Sequence, residues 1–355
     1  MNVLQVSAYA APFKGNFVDS LIALGKQLKL LGHRIVFAFP ENAQQCNWIK
    51  EVKAVGSVYF LPLAKAKILP ITYYKLKRIL NTEDIDIAHS HFELYDIPLS
   101  IVAPKSVTIF WHVHDAIYEN ESVKYSVPRK IQYKFLSKRA VLLSVSDYYR
   151  KCAVAKGMPE NRTITVLNGI TLPDLESINN RDIEYDFLFF GWDYHRKGGD
   201  IFLSACDKLS QMGYNFKIIY NGNKDTIPFI KEYIDSKVDW FTFSYPVSDV
   251  NVLYKKCRTL ISASRKETFS YTVCEASYIG LSIIASDIYG LEWAKELPTV
   301  SMFESENVED LVVLLRERLI HPMLDSKDIE KSRTIIEKKY SVDNWVKTIM
   351  NIYGI

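Results

Sequence analysis

One stretch of the sequence decides the fold: Ser264-Arg-Lys-Glu267-Thr-Phe269-Ser270-Tyr271-Thr-Val-Cys-Glu275-Ala276-Ser-Tyr-Ile-Gly280. It lies between two apolar, strand-like runs at 259–263 and 281–286. A helix between two such strands completes a βαβ unit, in which the strands are parallel. Open α/β sheets bind ligands at the carboxyl ends of their strands, where this polar turn is predicted. Backbone N–H groups at the start of the helix would suit a diphosphate.

The same alternation of strand and helix patterns extends through the whole chain. It predicts an α/β fold with two Rossmann-like, doubly wound parallel sheets. Strand patterns occupy residues 3–6, 34–39, 58–61, 85–89, 107–112, 141–145 and 164–167 in the first half, and 187–190, 216–220, 240–243, 259–261, 282–285 and 300–303 in the second. Helical patterns in the second half occupy about 200–212, 227–236, 249–257, 271–279 and 307–319.

Breaks in this alternation define the predicted domains. Residues 1–170 form an N-terminal Rossmann-like domain, and the polar, proline-containing residues 171–184 form a hinge. Residues 185–336 form a second Rossmann-like domain. Residues 337–355 contain a terminal helix, for which Ser341 is a suitable N-cap.

The composition of the chain excludes several classes of protein. The net charge is +3 and the pI is near 8.3, below the value of about 9 expected of a nucleic-acid-binding domain. The five cysteines are scattered without a C-x-x-C pair, which excludes a disulfide framework and a zinc ribbon. The sequence shows neither a signal-peptide pattern nor an apolar run near the roughly 20 residues that span a bilayer. We therefore expect a cytoplasmic protein that binds no nucleic acid and contacts the inner face of the membrane only peripherally.

Two glutamates of the quoted stretch are candidate ligand-binding residues. Glu267 and Glu275 lie eight positions apart, and on one helix of 3.6 residues per turn they would point about 80° away from each other. We therefore expect Glu267 on the loop after the strand and Glu275 in the first helical turns, both facing the ligand. The alternatives are a solvated loop charge for Glu267 and, for Glu275, a capping box with Thr272.

A basic loop with two glycines begins the second half of the chain. Arg196 and Lys197 precede Gly198 and Gly199, an arrangement in which cations pair with phosphate oxygens while the backbone approaches closely. A basic loop before an ordinary helix explains these residues equally well. The loop after the first strand lacks the G-x-G-x-x-G pattern, which counts against a nicotinamide-type fold. Its Gly15 allows either close approach to a ligand or a plain β-to-α connection.

Four of the seven histidines stand at two predicted strand ends, as His89, His91, His112 and His114. Residues two apart on a strand share a face, so a metal pair is one interpretation. No further cysteine or histidine spacing completes a ligand set, and we predict that the protein binds no metal. A histidine that forms hydrogen bonds near the ligand is the favoured interpretation.

The chain resembles the glycosyltransferases of the GT-B fold, and it is most similar to the retaining family 4, also called glycosyl transferases group 1. The resemblance rests first on S-x-x-E-x-F-x-x-x-x-x-E-A, from Ser264 to Ala276, which follows the E-x7-E region of that family. Supporting matches occur at Gly15, Gly32-His33, His114-Asp115, Val145-Ser146, Asn168-Gly169, Arg196-Lys197-Gly198, Gly280, Ala285-Ser286-Asp287 and Gly290. The resemblance implies two Rossmann-like domains facing a central cleft, with the acceptor side in the first domain and the donor side in the second. It also implies that the terminal helix in 337–355 packs back on the N-terminal domain.

The resemblance also implies roles for the candidate residues. Glu267 would contact the donor sugar near its anomeric carbon, and Glu275 would hold the ribose hydroxyls of the nucleotide. Lys197, with Arg196 beside it, would neutralise the diphosphate. His114 would lie beside the transferred sugar, which makes Glu267, His114 and Lys197 the predicted catalytic residues.

The remaining donor-binding residues would act through their backbone. Phe269, Ser270 and Tyr271 would offer backbone groups to the diphosphate and sugar. Gly15 would let its loop close over phosphate or acceptor. No metal or other cofactor is implied, because a helix N-terminus and Lys197 can stabilise the departing diphosphate electrostatically.

The implied activity is that of a retaining glycosyltransferase. It would move a sugar from a nucleoside-diphosphate sugar to a hydroxyl group of a glycan, a lipid-linked oligosaccharide or a similar acceptor, in the synthesis of polysaccharide or glycoconjugate. The alternative is a GT-B subunit that has lost catalysis and binds a glycan or a partner protein. Two departures from the family pattern motivate it, Trp192 in place of arginine and Ser270 in place of glycine. An epimerase or phosphorylase on the same fold is disfavoured.

Overall fold

The computed structural model describes residues 1–115, 117, 122–178 and 181–355. The chain divides into two compact units. The first unit comprises Met1–Thr171 and Lys339–Ile355, and the second comprises Leu172–Lys338. The predicted hinge, 171–184, contains Asn179 and Asn180, which lie outside the described residues.

The first unit contains a seven-stranded sheet in which every neighbouring pair is parallel. Its strands are β1 (Asn2–Ser7), β2 (Arg34–Pro40), β3 (Ser57–Leu61), β4 (Ile87–His91), β5 (Thr108–Val113), β6 (Ala140–Ser144) and β7 (Thr163–Thr165). They follow one another across the sheet in the order β3-β2-β1-β4-β5-β6-β7. The register places Gln5 opposite His89, and His91 opposite His112.

The second unit contains a six-stranded parallel sheet of the same design. Its strands are β8 (Tyr185–Phe190), β9 (Ile218–Asn221), β10 (Phe241–Ser244), β11 (Cys257–Ser262), β12 (Ser282–Asp287) and β13 (Val300–Glu304). Their order is β10-β9-β8-β11-β12-β13. In both sheets the first strand lies in the middle and the winding reverses beside it, which is the doubly wound arrangement. The predicted fold class is therefore confirmed, and each predicted strand is displaced by at most two residues at either end.

Helices connect the strands of both sheets. In the first unit these are α1 (Gly15–Leu30), α2 (Ile49–Val55), α3 (Pro70–Thr82), α4 (Asp96–Val102), α5 (Val123–Leu136) and α6 (Asp147–Ala155). In the second unit they are α7 (Leu175–Ile178), α8 (Tyr194–Lys197), α9 (Gly199–Gln211), α10 (Ile227–Asp235), α11 (Asn251–Tyr254), α12 (Tyr271–Ile279), α13 (Val308–Ile320) and α14 (Ser326–Lys339). The last helix of the chain is α15 (Val342–Tyr353).

Two helices of the second unit differ from the sequence prediction. The pattern at 249–257 yields only the single turn α11, because strand β11 already begins at Cys257. Helix α14 was not predicted, since its sequence is largely polar and only Ser332 and Ile336 are buried along it. No helix in the described part of the chain is long and apolar enough to cross a membrane.

Each sheet has a hydrophobic core on both faces, because successive side chains of a strand point to opposite sides. In the first unit, Leu4 and Val6 of β1 belong to the cluster on one face, whereas Val3 belongs to the cluster on the other. The second sheet is likewise covered by two clusters. The strands therefore read as nearly continuous apolar runs, and a polar residue within one is conspicuous.

The terminal helix α15 packs on α1 within the first unit. Ser341 is its N-cap, and its side chain accepts a hydrogen bond from the backbone N–H of Asn344 at 3.2 Å, as the sequence predicted. The apolar face of the helix is buried in the same cluster as Val3. A Cβ atom on Gly169 would approach the carbonyl oxygen of Ser341 and the Cβ of Trp345 to 2.9 Å, so the chain lies tightly against the start of this helix.

Candidate active site

The reversal of winding in the second sheet lies between β8 and β11. The loops that follow these two strands span 191–193 and 263–270. The second loop carries Glu267, Phe269 and Ser270, and the short helix after the first loop carries Arg196 and Lys197. Crevices at the carboxyl ends of strands, beside such a reversal, are the usual ligand sites of open α/β sheets.

The basic loop after β8 forms the short helix α8 and ends at a glycine. Asp193 caps this helix through a hydrogen bond from the backbone N–H of Arg196 at 3.4 Å. Gly198 has a φ of 74°, in the left-handed region that favours glycine. A Cβ atom there would overlap the carbonyl oxygen of Ala263. The glycine therefore lets the basic loop lie directly on the end of β11.

Lys197 and Glu267 form an ion pair across the two loops. The Glu267 carboxylate also accepts a hydrogen bond from the Ser264 hydroxyl at 3.0 Å. Arg196 Nη1 lies 3.6 Å from the second carboxylate oxygen. The side chains of Lys197 and Glu267 are only 14% and 10% exposed. The interpretation of Glu267 as a solvated loop charge is therefore wrong, because its carboxylate is buried. The buried charge is tolerated because Lys197 pairs with it.

The loop that carries Glu267 is held from both sides. The Ser286 hydroxyl donates to the carbonyl oxygen of Ser264 at 2.6 Å. Arg265 forms two hydrogen bonds of 2.8 Å with the carboxylate of Asp200 at the start of α9. A Cβ atom on Gly290 would overlap the carbonyl oxygen of Glu267. Such close support fixes the position of the Glu267 side chain.

Trp192 lies beside the two cations of the basic loop. The Arg196 guanidinium is 4.6 Å and the Lys197 ammonium 5.4 Å from the centre of a Trp192 ring. The Trp192 side chain remains 49% exposed. Cations over an aromatic face are stabilised electrostatically, so Trp192 helps to orient Arg196 and Lys197 although it carries no charge itself.

Helix α12 begins at Tyr271, as the sequence predicted, with Ser270 in the N-cap position. Ser270 has φ 64° and ψ 87°, and its side chain does not cap the helix. A non-glycine residue in this left-handed region costs about 1–2 kcal/mol. Phe269 is buried and stacks on Trp293 at 4.5 Å, and the Trp293 indole N–H donates to the Phe269 carbonyl oxygen at 3.2 Å.

Glu275 lies within α12 and accepts a hydrogen bond from the Tyr254 hydroxyl at 3.0 Å. The capping-box interpretation with Thr272 is wrong, because the helix starts one residue earlier and Thr272 is already inside it. Burial and the Glu275 carboxylate raise the pKa of Tyr254 well above its usual value, so this hydroxyl stays protonated and remains a donor.

Gly15 and His114 belong to the first unit. Gly15 is the first residue of α1 and has a φ of 60°, a value that glycine adopts without strain. A Cβ atom there would lie 3.1 Å from the Tyr9 hydroxyl, which donates to the carbonyl oxygen of Phe13 at 2.8 Å. His114 directly follows β5, next to the reversal of winding between β1 and β4.

His114 is one of four buried histidines that pack together. His89 stacks on His91, and His112 stacks on His114, each pair with ring centres 4.2 Å apart. Burial lowers the pKa of His89 and His114 from 6.5 to about 3, and it lowers the pKa of His91 and His112 well below 6.5. All four rings are therefore neutral at physiological pH.

Three of these histidines, His89, His91 and His112, have ring nitrogens within 4.8 Å of one another. The rings are also joined by hydrogen bonds, such as that between His89 Nε2 and His112 Nδ1 at 3.2 Å. The absence of a metal stays a prediction. Two members of the cluster escaped the sequence analysis, Gln5 and Tyr353, which contact the histidines. A polar glutamine inside an apolar strand was the available signal for Gln5, whereas nothing in the sequence distinguishes Tyr353.

Family models match both halves of the chain. Residues 19–172 match the model described as Glycosyltransferase Family 4, and residues 184–319 match the model described as Glycosyl transferases group 1. An uncharacterized glycosyltransferase of Methanocaldococcus jannaschii is 24% identical over 375 residues, which cover 99% of this chain and 97% of that protein.

Two solved structures share the fold. HepE of Anabaena, in complex with UDP, superposes with a TM-score of 0.78 at 13% identity over 100% of both chains. WaaG, a glycosyltransferase involved in lipopolysaccharide biosynthesis, superposes with a TM-score of 0.70 at 15% identity over 100% of this chain and 99% of that one. Two family models that together take in most of the chain, and two doubly wound sheets like those of these enzymes, establish that the chain belongs to the group 1 glycosyltransferases of the GT-B fold.

Proposed function

We propose that the protein is a retaining glycosyltransferase that takes a sugar from a nucleoside-diphosphate sugar. The observation that carries this proposal is the buried Lys197–Glu267 pair at the carboxyl ends of β8 and β11. A cation and a carboxylate held together there suit a substrate whose diphosphate is anionic and whose sugar becomes cationic in the transition state. HepE, which is solved with UDP and also with UDP-glucose, supports this class of donor.

Residues 185–336, within the second unit, would bind the donor. The N-terminus of α12 offers backbone N–H groups to the diphosphate at Phe269, Ser270 and Tyr271, and the side chain of Ser270 does not occupy them. Lys197 and Arg196 supply positive charge from the adjoining loop. Glu275 would hold the ribose hydroxyls, fixed by its hydrogen bond from Tyr254.

Residues 1–170, within the first unit, would bind the acceptor. His114 would hydrogen-bond the transferred sugar, and Gly15 would let its loop approach phosphate or acceptor. The bond between the anomeric carbon and the diphosphate oxygen breaks as the acceptor oxygen attacks from the same face. The proton of the acceptor hydroxyl passes to the departing phosphate oxygen. No base on the protein and no metal are needed for this step, because Lys197 and the start of α12 stabilise the charge of the leaving group.

A donor screen tests the proposal. The protein is incubated with UDP-, GDP- and ADP-sugars and an acceptor panel, and product anomers are assigned by NMR. Transfer with retained anomeric configuration is the expected result. An inverted product contradicts the retaining mechanism, and free sugar or sugar phosphate as the sole product identifies a hydrolase or phosphorylase instead.

The second candidate function is a GT-B subunit without catalysis that binds a glycan or a partner protein. It is favoured by the φ of 64° at Ser270, which places a side chain where the diphosphate would approach the backbone. Thermal shifts with UDP, GDP and ADP distinguish the two functions. Nucleotide binding without turnover on any donor supports the second, whereas turnover excludes it.

We also propose that the acceptor is a glycan or a lipid-linked oligosaccharide and that the protein rests on the inner face of the membrane. The named role of WaaG in lipopolysaccharide biosynthesis supports this class of acceptor. Helix α5 supports the membrane contact, because Val127, Ile131 and Phe135 are exposed at a spacing of four residues. Lys130 and Lys134 are exposed on the same side of this helix. A basic, apolar helix face suits anionic lipid.

Cosedimentation with vesicles tests this contact. The full-length protein is expected to bind vesicles that contain anionic lipid and to remain in the supernatant with neutral ones. Phe135→Ser should weaken binding, whereas Ile320→Ser, at a similarly exposed site on α13 of the second unit, should not. Equal binding by both variants would contradict the role of α5.

A further inference from the structure

A continuous network of buried hydrogen bonds in the first unit leads from the C-terminal helix to His114. At its centre is Gln5, a polar side chain in the middle of β1. The Gln5 Nε2 group donates to the Tyr353 hydroxyl at 2.9 Å, and the Gln5 Oε1 atom lies 2.8 Å from His91 Nε2. Gln5 and His91 have no exposed surface, and Tyr353 of α15 is 7% exposed.

One arm of the network runs from Gln5 through His91 to His114. Because an amide oxygen only accepts, His91 must carry its proton on Nε2. Its Nδ1 atom is then a lone pair, which accepts from Nε2–H of His114 at 3.0 Å. A neutral His114 carries a single ring proton, so its Nδ1 atom is an acceptor. His114 also shares a hydrogen bond with the Asn168 side chain.

The other arm runs from Gln5 through Tyr353 and His89 to His112. The Tyr353 hydroxyl accepts from Gln5 and therefore donates its own proton to His89 Nδ1 at 2.5 Å. His89 then carries a proton on Nε2, which it donates to His112 Nδ1 at 3.2 Å. His112 is left with its proton on Nε2, a buried atom without a partner among the described residues. All four rings thus have the same Nε2–H tautomer.

We infer that Gln5 and Tyr353 are positioning residues that set the tautomer of His114. An amide presents an acceptor to one arm and a donor to the other, so reversing the Gln5 amide would move the proton of all four rings to Nδ1. The two arms cannot differ in tautomer while Gln5 bonds to both. Gln5 lies two side chains away from His114, and it thereby determines whether His114 Nδ1 is a donor or an acceptor. The consequence for catalysis rests on the proposed function, in which His114 lies beside the transferred sugar.

Nitrogen-15 NMR of the full-length protein with labelled histidine tests the network directly, because protonated and unprotonated ring nitrogens have distinct chemical shifts. His89, His91, His112 and His114 are expected to share one tautomer, with the proton on Nε2. Tyr353→Phe keeps the ring and removes the hydroxyl, so Gln5 loses one of its two partners and its amide can reverse. His91 and His114 should then populate both tautomers, and His89 and His112 should no longer follow them. A wild-type spectrum in which the two arms have different tautomers overturns the inference.

Kinetics test the consequence for transfer. Tyr353→Phe and Gln5→Met should each lower kcat about tenfold and change the donor KM less than about twofold, since a misoriented hydrogen-bonding group affects the transition state more than binding. Tyr95→Phe is the matched control, because it removes an equally buried hydroxyl that donates to the Pro62 carbonyl oxygen outside the network. It should leave kcat and the four tautomers unchanged.

The kinetic and the spectroscopic experiments can contradict the inference independently of each other. Altered tautomers with a wild-type kcat in both network variants would overturn the positioning role. If the wild-type protein transfers no sugar from any donor, the proposed function fails, and the tautomer measurement still decides the network by itself.

Discussion

The two sheets have the same strand order beside their central strands, yet the side chains at the two reversals of winding differ in kind. In the second unit, β8 and β11 present fixed charges, with Lys197 paired to Glu267 and Arg196 close by. In the first unit, β1, β4 and β5 present neutral histidines and an amide, whose protons are fixed by hydrogen bonds.

This difference shows that strand order determines where a ligand site lies, whereas the side chains at the strand ends determine its chemistry. Charges in a buried pair interact strongly with a diphosphate, whose own charge can replace one partner. Neutral imidazoles instead suit hydroxyl groups, because they donate or accept a hydrogen bond without a large desolvation cost. We therefore associate the charged reversal with the leaving group and the neutral reversal with the sugar and acceptor.

The largest effect should come from breaking the charged pair. Lys197→Ala and Glu267→Ala are each expected to lower transfer by about 10²-fold or more, because each removes a group that stabilises charge in the transition state. Initial rates with the donor identified by the screen measure this loss. Lys208→Ala is the control, since Lys208 pairs with Glu309 on the surface of the same unit and should keep the wild-type rate. Unchanged rates in the first two variants would remove them from the site.

A smaller loss should follow from moving the loop that carries Glu267. In Gly290→Ala the new Cβ would overlap the Glu267 carbonyl oxygen, so transfer should fall and the unfolding free energy should drop by about 1–3 kcal/mol. Urea unfolding and transfer rates are measured together. Gly213→Ala, at a φ of 80° with no atom near the added Cβ, should cost about 1–2 kcal/mol and leave transfer intact. Equal effects on transfer would show that general destabilisation is responsible.

The buried histidines of the first unit should make the unfolding free energy depend on pH. The pKa of His89 and His114 is about 3 in the folded protein, against 6.5 for an unperturbed histidine, because burial disfavours the charged form. As pH falls from 6.5 towards 3, the unfolded state takes up protons that the folded state refuses. The unfolding free energy should then decrease by up to about 1.4 kcal/mol per pH unit for each such histidine.

One buried group opposes this trend. Burial raises the pKa of Asp96 to about 7, so this carboxyl takes up a proton in the folded state first and favours folding as pH falls. Four histidines outweigh it. Urea titrations between pH 7 and pH 5 should give a smaller slope for His112→Gln than for the wild type. His321→Gln, at an exposed position, should leave the slope unchanged, and a wild-type stability that rises on acidification would contradict the expectation.

The smallest effect is expected from removing metals. Because Lys197 and the start of α12 supply the charge that the leaving group needs, EDTA should change the transfer rate by less than about twofold. Strong inhibition that Zn²⁺ reverses would assign a metal to His89, His91 and His112, whose nitrogens are close enough for one.

Much of the fold could be predicted because its signals are local. Apolar runs marked all the strands, and the helix after Ser270 was predicted with the bounds found in the structure. Helix α14 escaped, since a polar helix with few buried residues leaves little periodic pattern. The capping-box interpretation with Thr272 was wrong for a related reason. A four-residue pattern does not show by itself where the helix begins, and here Ser270 is the N-cap.

The residues of the candidate sites likewise include some that the sequence predicts and some that it does not. The positions of strand ends in the chain predict Glu267 and Lys197 as candidate residues of the second unit and His114 as one of the first. Their partners are not predicted in this way, because a hydrogen bond between Gln5 and Tyr353 spans a separation of 348 residues. Nor does the order of residues reveal that Gly290 must be small to admit the Glu267 carbonyl oxygen.

Local periodicity and turn chemistry thus sufficed for two parallel sheets and for the polar turns at their strand ends. The family was predicted from the resemblance of the motif between Ser264 and Ala276. The pairing of Lys197 with Glu267, the burial of both, and the common tautomer of four histidines were decided only when distant segments packed together. The physical reason is that strand and helix formation depend on neighbours within a few residues, whereas charge pairing, desolvation and proton position depend on whatever lies within about 4 Å in space.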